Sequence, residues 1–468
     1  MIDAKRLRAF FVCLGLLISS PAAADLAAQT APAGDKETDP LVLRKLEWFQ
    51  DLKFGLMMHW GPYSQWGVVE SWTLCSEDEP WCRRSIPDYC EYKRRYEALP
   101  KTFNPVKFAP ERWAEAAARA GMRYVVFTTK HHDGFCMFDT SQTEYKITAA
   151  DCPFHVNPKA DVTKAIFDAF RAKGFGVGAY FSKPDWHSPD YWAPEWATPN
   201  RNVNYRIDRY PERWEKFKTF TFNEIEELMS GYGPVDILWL DGGWVCPANG
   251  QDIGMDKIAA MARDRRPGLI IADRTVGGRF ENYRTPEQEI PEKPLDGPWE
   301  TCMTMATQWS YRADDVYKPA RDLIRMLVEV VAKGGNYLLN IGPSPEGELP
   351  PESLKRLADI GAWMKINGQA IYGTRPIPPY GETKIRYTSR PDGTVYAIYL
   401  ADPDEPSPPA KIMLNSLSPK KGSAVSLLGC GDSVRWEKAG KTTSLYFPES
   451  ALKNPPCRHA WAFKFIKG

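Results

Sequence analysis

The chain has almost no net charge, few histidines and none of the short signatures that mark several large enzyme classes. Its formal charge is +1 over 468 residues. That argues against nucleic acid or an anionic membrane as a partner, since both select for a basic excess. No Gly-x-Ser-x-Gly elbow occurs, which disfavours esterase chemistry of the α/β-hydrolase kind. Neither a GxGxxG nor a Walker loop occurs, which disfavours nucleotide chemistry. Neither HxH nor HExxH is present, so no ready pair of metal ligands stands on one face of an element. Asn-x-Ser/Thr is also absent. Beyond the first 18 residues no apolar run approaches the roughly 20 residues a membrane span needs.

What is present is aromatic. Seventeen tryptophans exceed what a core of this size calls for. An indole face packs well on the apolar C–H face of a sugar ring. At the N-terminus, Lys5, Arg6 and Arg8 precede an apolar stretch over 9–18 and a small-residue site at Pro21-Ala22-Ala23-Ala24. This order reads as a secretory signal cleaved near Ala24, and hence as a periplasmic or secreted protein. A flexible leader is expected over 25–40. Nine cysteines follow the signal. Cys75, Cys82 and Cys90 lie close enough for a local bridge in an exported protein, and the odd count leaves at least one free thiol, with Cys136 and Cys302 as candidates.

From 41 to 375, apolar runs alternate with helical periodicity. Strands are expected over 53–60, 122–129, 176–181, 235–240, 269–272 and 336–341. Helices are expected over 110–120, 161–173, 212–229, 256–265, 321–332 and 352–365. Such alternation implies a parallel sheet, and this many units favours a (β/α)8-like barrel over an open sheet. A Pro-rich linker follows over 373–381. From 376 to 468 the period is two, which predicts an antiparallel β-sandwich.

In a barrel of this kind, chemistry gathers where the strands end. Those positions carry His59, then His131 and His132, then Tyr180, then Trp239 and Asp241, then Arg274, and Glu300 within Pro298-Trp299-Glu300. Three of the six histidines fall at two strand ends. Adjacent residues on an extended chain point opposite ways, so His131 and His132 are poor joint metal ligands. They read instead as neutral donors and acceptors for hydroxyl groups. A carboxylate at the end of a buried strand is costly unless it is paired or used. Two carboxylates on one barrel face are the minimum set for glycoside hydrolysis, and apolar neighbours suit Glu300 to the acid's part.

The chain resembles the α-L-fucosidases of glycoside hydrolase family 29. The resemblance rests on Lys53-Phe54-Gly55, His59-Trp60-Gly61, Phe103-Asn104-Pro105, Lys130-His131-His132-Asp133-Gly134-Phe135, Leu238-Trp239-Leu240-Asp241-Gly242, Pro298-Trp299-Glu300-Thr301-Cys302 and Gly334-Gly335-Asn336, with Leu339-Asn340-Ile341-Gly342-Pro343. It implies a barrel followed by a β-sandwich and a retaining mechanism on fucosylated oligosaccharides or glycoconjugates, without metal or organic cofactor. It assigns Asp241 as nucleophile and Glu300 as acid/base. It places His59, Glu70, Trp72, His131, His132, Tyr180, Trp239, Arg274 and Trp309 around the sugar, with Trp309 near the deoxy methyl. The Cys75–Cys90 insert is expected to wall the leaving-group side. Two other readings are a hydrolase for a related sugar such as an α-L-galactoside, and a fucose-binding protein without turnover.

Overall fold

A computed structural model describes residues 36–75, 82–198 and 200–468. The expected signal segment and most of the leader lie outside them, as does part of the Cys75–Cys90 insert. Within the expected leader, Glu37 is pinned: its carboxylate accepts from Arg263 at 2.6 Å and from Asn282 at 3.2 Å.

Helix α1 (Pro40–Leu52) opens on Asp39, whose side chain caps the Leu41 N–H, and on Pro40 at the first helical position. The first layer then alternates strand and helix: β1 (Phe54–Met58), α2 (Tyr89–Glu97), α3 (Pro110–Arg119), β2 (Tyr124–Lys130), α4 (Val162–Arg171), β3 (Gly176–Ser182), α5 (Pro211–Gly231), β4 (Ile237–Asp241), α6 (Met255–Arg265), β5 (Ile270–Asp273), β6 (Glu300–Thr304), α7 (Ala320–Ala332), β7 (Asn336–Ile341) and α8 (Pro351–Asn367). The seven strands run parallel in the order β5-β4-β3-β2-β1-β7-β6. Between β5 and β6, single bridges join Ala272 to Glu281, Arg284 to Trp299 and Glu287 to Cys302. The stretch 281–287 thus stands where an eighth strand would be.

Period-two alternation along buried strands sends every second side chain inward. Met57, Tyr124, Val126, Tyr180, Ile237, Trp239, Ile270, Ala272, Cys302 and Leu338 form the interior, and α1 closes its lower end with Val42, Leu46 and Phe49. Gly55 makes room within this lining: a Cβ there would lie 2.4 Å from the Tyr124 ring. The side facing the helices carries charge as well, and a register shift between Thr128 and Lys130 turns Lys130 to it. Lys130 is wholly buried, with Glu224 of α5 at 2.6 Å and Asp185 at 3.1 Å. Lys183, just past β3, meets Asp273 at 2.6 Å. These pairs clamp the strand ends to the helix layer and to the loops above.

The chain then forms β8 (Arg375–Glu382), β9 (Ile385–Ser389), β10 (Thr394–Leu400), β11 (Lys411–Leu414), β12 (Ser426–Leu427), β13 (Trp436–Ala439), β14 (Thr442–Tyr446), a short helix α9 (Glu449–Lys453) and β15 (Ala460–Ile466). Sheets β12-β15-β10-β9-β8 and β11-β14-β13 enclose a second core that includes Leu414, Leu427, Leu445 and Phe463. The expected linker is therefore partly strand β8. Its prolines are tolerated because β8 is an edge. This domain buttresses α7 and α8: Trp363 donates to the Ala460 carbonyl at 2.9 Å and Arg386 pairs with Glu329. Trp461 is buried in the sandwich core.

Removing one partner of a buried pair strands the other charge. Glu224→Ala is expected to lower unfolding free energy by about 3–5 kcal/mol. Urea denaturation of parent and variant measures it, and a loss under about 1 kcal/mol would show that Asp185 alone satisfies Lys130.

Candidate active site

One cavity of about 450 Å³ opens above the strand ends, lined among others by Met57, His59, Glu70, Trp72, His131, Tyr180, Trp239, Asp241, Arg274, Glu287, Cys302 and Trp309. Inward parity explains several of these. His59 follows Met57, Asp241 follows Trp239 and Arg274 follows Ala272, each by two residues.

Asp241 is 15% exposed at the centre. Its Oδ1 accepts from Arg274 at 3.0 Å and from the Gly242 N–H at 2.8 Å, and its Oδ2 accepts from the Tyr180 hydroxyl at 2.7 Å. Burial alone would raise this carboxyl. Arg274 foremost, then His132, Tyr180 and the Gly242 N–H, reverse that and hold it well below the ordinary carboxylate range. It is therefore ionised, with its charge directed into the cavity.

Hydrogen bonds fix the three imidazoles. Asn340 donates through Nδ2 to the Trp309 carbonyl at 2.6 Å, so its Oδ1, 2.8 Å from His59 Nδ1, takes that nitrogen's proton. The hydroxyl of Ser182 donates to the Pro184 carbonyl at 2.5 Å, so it accepts from His132 Nδ1 at 2.7 Å. Ser71 Oγ accepts from the Asp133 N–H at 2.9 Å and can give its own proton to His131 Nδ1 at 2.6 Å. His59 and His132 thus present acceptors and His131 a donor. Burial lowers His59 and His132 to about 4 and takes His131 well below its usual value, so all three are neutral near pH 7. His132 Nε2 is buried, has no partner and lies 3.8 Å from Asp241 Oδ2.

Glu70 is fully buried. One oxygen accepts from the Ser310 N–H at 2.6 Å, and the other has no partner. Burial raises this carboxyl to about 8, so it is protonated at neutral pH and offers a further O–H. Trp239 stacks on Tyr180 at 5.2 Å and 20°. Trp309 leans on His59 at 5.0 Å.

Nine of the eleven expected site residues line this cavity, and His132 backs Asp241. Glu300 is the exception. It sits at the start of β6, level with Asn336 at the start of β7. It is 0% exposed and accepts from Tyr124 at 2.6 Å and Trp239 at 3.0 Å. It lies under the cavity floor, where no leaving group reaches. The sequence shows an acid between aromatic and apolar neighbours but not that the strand begins there. Besides Asp241 and the buried Glu70, the cavity is lined by Glu287, with a side chain 40% exposed and ion-paired to the second arm of Arg274. It comes from a Pro-rich stretch without periodicity, among several similar glutamates, and carries no sequence signal.

His131, His132 and Asp241 each place one ligand-type atom within 4.8 Å of the others. Arg274 already occupies Asp241, and a guanidinium there opposes a dication.

The α-L-fucosidase family profile matches residues 22–369, and that of the α-L-fucosidase C-terminal domain matches 380–466. The chain belongs to the α-L-fucosidase family. It is 30% identical to tissue α-L-fucosidase of Mus musculus over 90% of this chain and 91% of that one. Among solved structures, it is similar to α-L-fucosidase isoenzyme 1 of Paenibacillus thiaminolyticus, with TM-score 0.75 and 30% identity over 92% of this chain and 100% of that one. It is also similar to a family 29 α-L-fucosidase of Bacteroides thetaiotaomicron, with TM-score 0.72 and 25% identity over 92% and 97%. That enzyme was trapped as a covalent intermediate with 2-fluoro-fucosyl fluoride in a Glu-to-Gln mutant. This chain is accordingly a retaining glycosidase that releases α-L-fucose.

Burial raises Glu300 from 4.5 to about 7. A carboxyl raised in the folded state costs stability as pH climbs from its unfolded to its folded value. Glu300→Gln removes that cost. Relative to the parent, the variant should gain up to about 3 kcal/mol between pH 4.5 and 7 and nothing further above. Its kcat/KM should stay within about tenfold, because no proton transfer is lost. Melting curves at pH 5 and 8 together with fucoside kinetics check both. A loss of a hundredfold or more would return Glu300 to the catalytic pair.

Proposed function

We propose that Asp241 is the nucleophile and Glu287 the acid/base of a double displacement on terminal α-L-fucosides. The observation that carries this is Arg274, which holds one carboxylate on each arm. Two carboxylates on one rigid fork fit the close pair of a retaining enzyme, about 5–5.5 Å, better than the wider inverting pair at about 6.5–9.5 Å.

In the first step Asp241 attacks the anomeric carbon while the Glu287 carboxylic acid protonates the departing oxygen. Esterification removes the Asp241 charge. The Glu287 carboxylate left by the first step then takes a proton from the water that releases the sugar. Hydroxyl groups of the ring are met by His59, His131, His132 and Glu70, and Trp239 underlies it. Met57, Cys302 and Trp309 offer an apolar wall for the deoxy methyl. The substrates are fucosylated oligosaccharides or glycoconjugates, and the basic–apolar–small order of residues 5–24 supports export.

Asp241→Gly should lose at least 10⁴-fold in kcat on all fucosides, and azide should rescue it to a product of inverted configuration. Glu287→Ala should lose about 10²–10⁴-fold on a fucosyl disaccharide but far less on a dinitrophenyl fucoside, whose leaving group needs no proton. Azide should give it a product of retained configuration. Equal losses on both substrates, without rescue, would move the acid to Glu70.

An aryl α-L-galactoside adds a hydroxyl to the methyl position. An apolar wall rejects such an addition only moderately, so its kcat/KM should be about 10–10² below that of the fucoside. Equal rates would assign the cavity to both sugars.

A further inference from the structure

The cavity continues beyond the ring around Asp241 to Arg201, Trp244, Asn249 and Thr275. None of these has a part in the mechanism above. They come from three loops, those that follow β3, β4 and β5. In a barrel, residues near the strand ends form the floor and residues further along the loops form the mouth. An exo-acting enzyme holds the terminal sugar at the floor, so whatever it is attached to must pass this mouth. The cavity's 450 Å³ falls in the range that buries drug-sized molecules and leaves room past a single ring.

The mouth is built rather than incidental. The Arg201 guanidinium lies 4.8 Å from the Trp72 ring and 5.1 Å from the Trp244 ring. The rings are 5.8 Å apart and inclined at 58°. Three nearly equal separations put the guanidinium over the notch between two indoles. Both rings meet His132 edge-on at 5.2 Å, which ties this group to the nucleophile's imidazole. Trp244 is held at two points: its Nε1 donates to the Tyr191 hydroxyl at 3.1 Å, and its carbonyl accepts from Asn249 at 2.9 Å. Gly243 lets the loops after β4 and β5 close on each other, since a Cβ there would lie 2.0 Å from Thr275 Oγ1.

We propose that Arg201 and Trp244 form the leaving-group subsite and that it takes a pyranose ring bonded to the departing fucose. The indole offers a flat apolar surface to the C–H face of that ring. The guanidinium, within cation–π distance of both indoles, donates through its N–H fork to neighbouring ring oxygens. The proposal rests on the reading of the floor as a fucose site, and its test separates the two.

Two substrates are compared. In α-L-fucosyl fluoride the leaving group is a single atom and cannot reach Arg201. In a fucosyl-galactose disaccharide it fills the mouth. Arg201→Met keeps the side chain's length and removes the fork. It should lower kcat/KM on the disaccharide about tenfold or more, chiefly through KM, and change turnover of the fluoride less than about threefold. Arg201→Lys keeps the charge without the planar fork and should fall between. Equal effects on the two substrates, or no effect on the disaccharide, would overturn the subsite while leaving the fucose reading intact. A parent that cleaves the fluoride but no fucosyl disaccharide would overturn it as well. A parent that cleaves neither would overturn the fucose reading on which the subsite rests.

Discussion

The site depends on one guanidinium held between two carboxylates. Arg274 reaches Asp241 with one arm and Glu287 with the other, and its Cζ lies 5.3 Å from the centre of the Trp239 ring. Its backbone N–H is tied to the Leu240 carbonyl at 3.2 Å, so its base moves with the strand that carries the nucleophile. Without that cation, burial would favour a protonated Asp241, and a protonated carboxyl is no nucleophile. Burial keeps the three imidazoles uncharged near pH 7, so Arg274 is the cation that serves Asp241, with hydrogen bonds from Tyr180 and Gly242 beside it.

The rest of the barrel can be read as support for that arrangement. Inward parity delivers His59, Tyr180, Asp241 and Arg274 to one cavity. Glu300 and Tyr124 lie beneath them, where Glu300 accepts the Trp239 indole N–H and fixes the floor's tilt. A register shift after Thr128 turns Lys130, and outward parity turns Lys183, to buried acids, which ties the end of β5 and the loop that carries Asp185 into place. Truncating an acid of either set to alanine leaves a buried charge or donor unmet.

Much of this was legible in the sequence because strand parity is a local property. Strands ending in His59, Asp241 and Arg274 announce themselves through apolar runs that stop at polar residues, and β7 is readable to the residue. The sandwich followed from a change of period. What local pattern does not convey is height along the barrel axis. Glu300 has the right parity and the right neighbours for an acid, yet it starts its strand instead of ending it. The short run 300–304 holds two threonines, a cysteine and a glutamate, too little apolar content to announce a strand. Glu287 was hidden for the opposite reason: it belongs to a stretch without regular structure, placed by isolated bridges to Cys302 and its neighbours. The mouth residues are set by loop packing over long separations, which no window of sequence reports.

That distribution of order and irregularity follows from the chemistry. A nucleophile must meet one carbon along one line, and a misplacement of about 1 Å is costly. Asp241 is accordingly the last residue of a strand with paired neighbours on both sides. The acid/base has two targets in succession, first the departing oxygen and then a water that enters after it leaves. A carboxyl on a regular central strand would be held as firmly as the nucleophile. Glu287 instead stands in the seam where the eighth strand is missing, 40% exposed and tethered by one bridge and one guanidinium arm. On the proposed assignment, the irregular seam of the barrel supplies the acid/base, and Arg274 ties it to the carboxylate of Asp241.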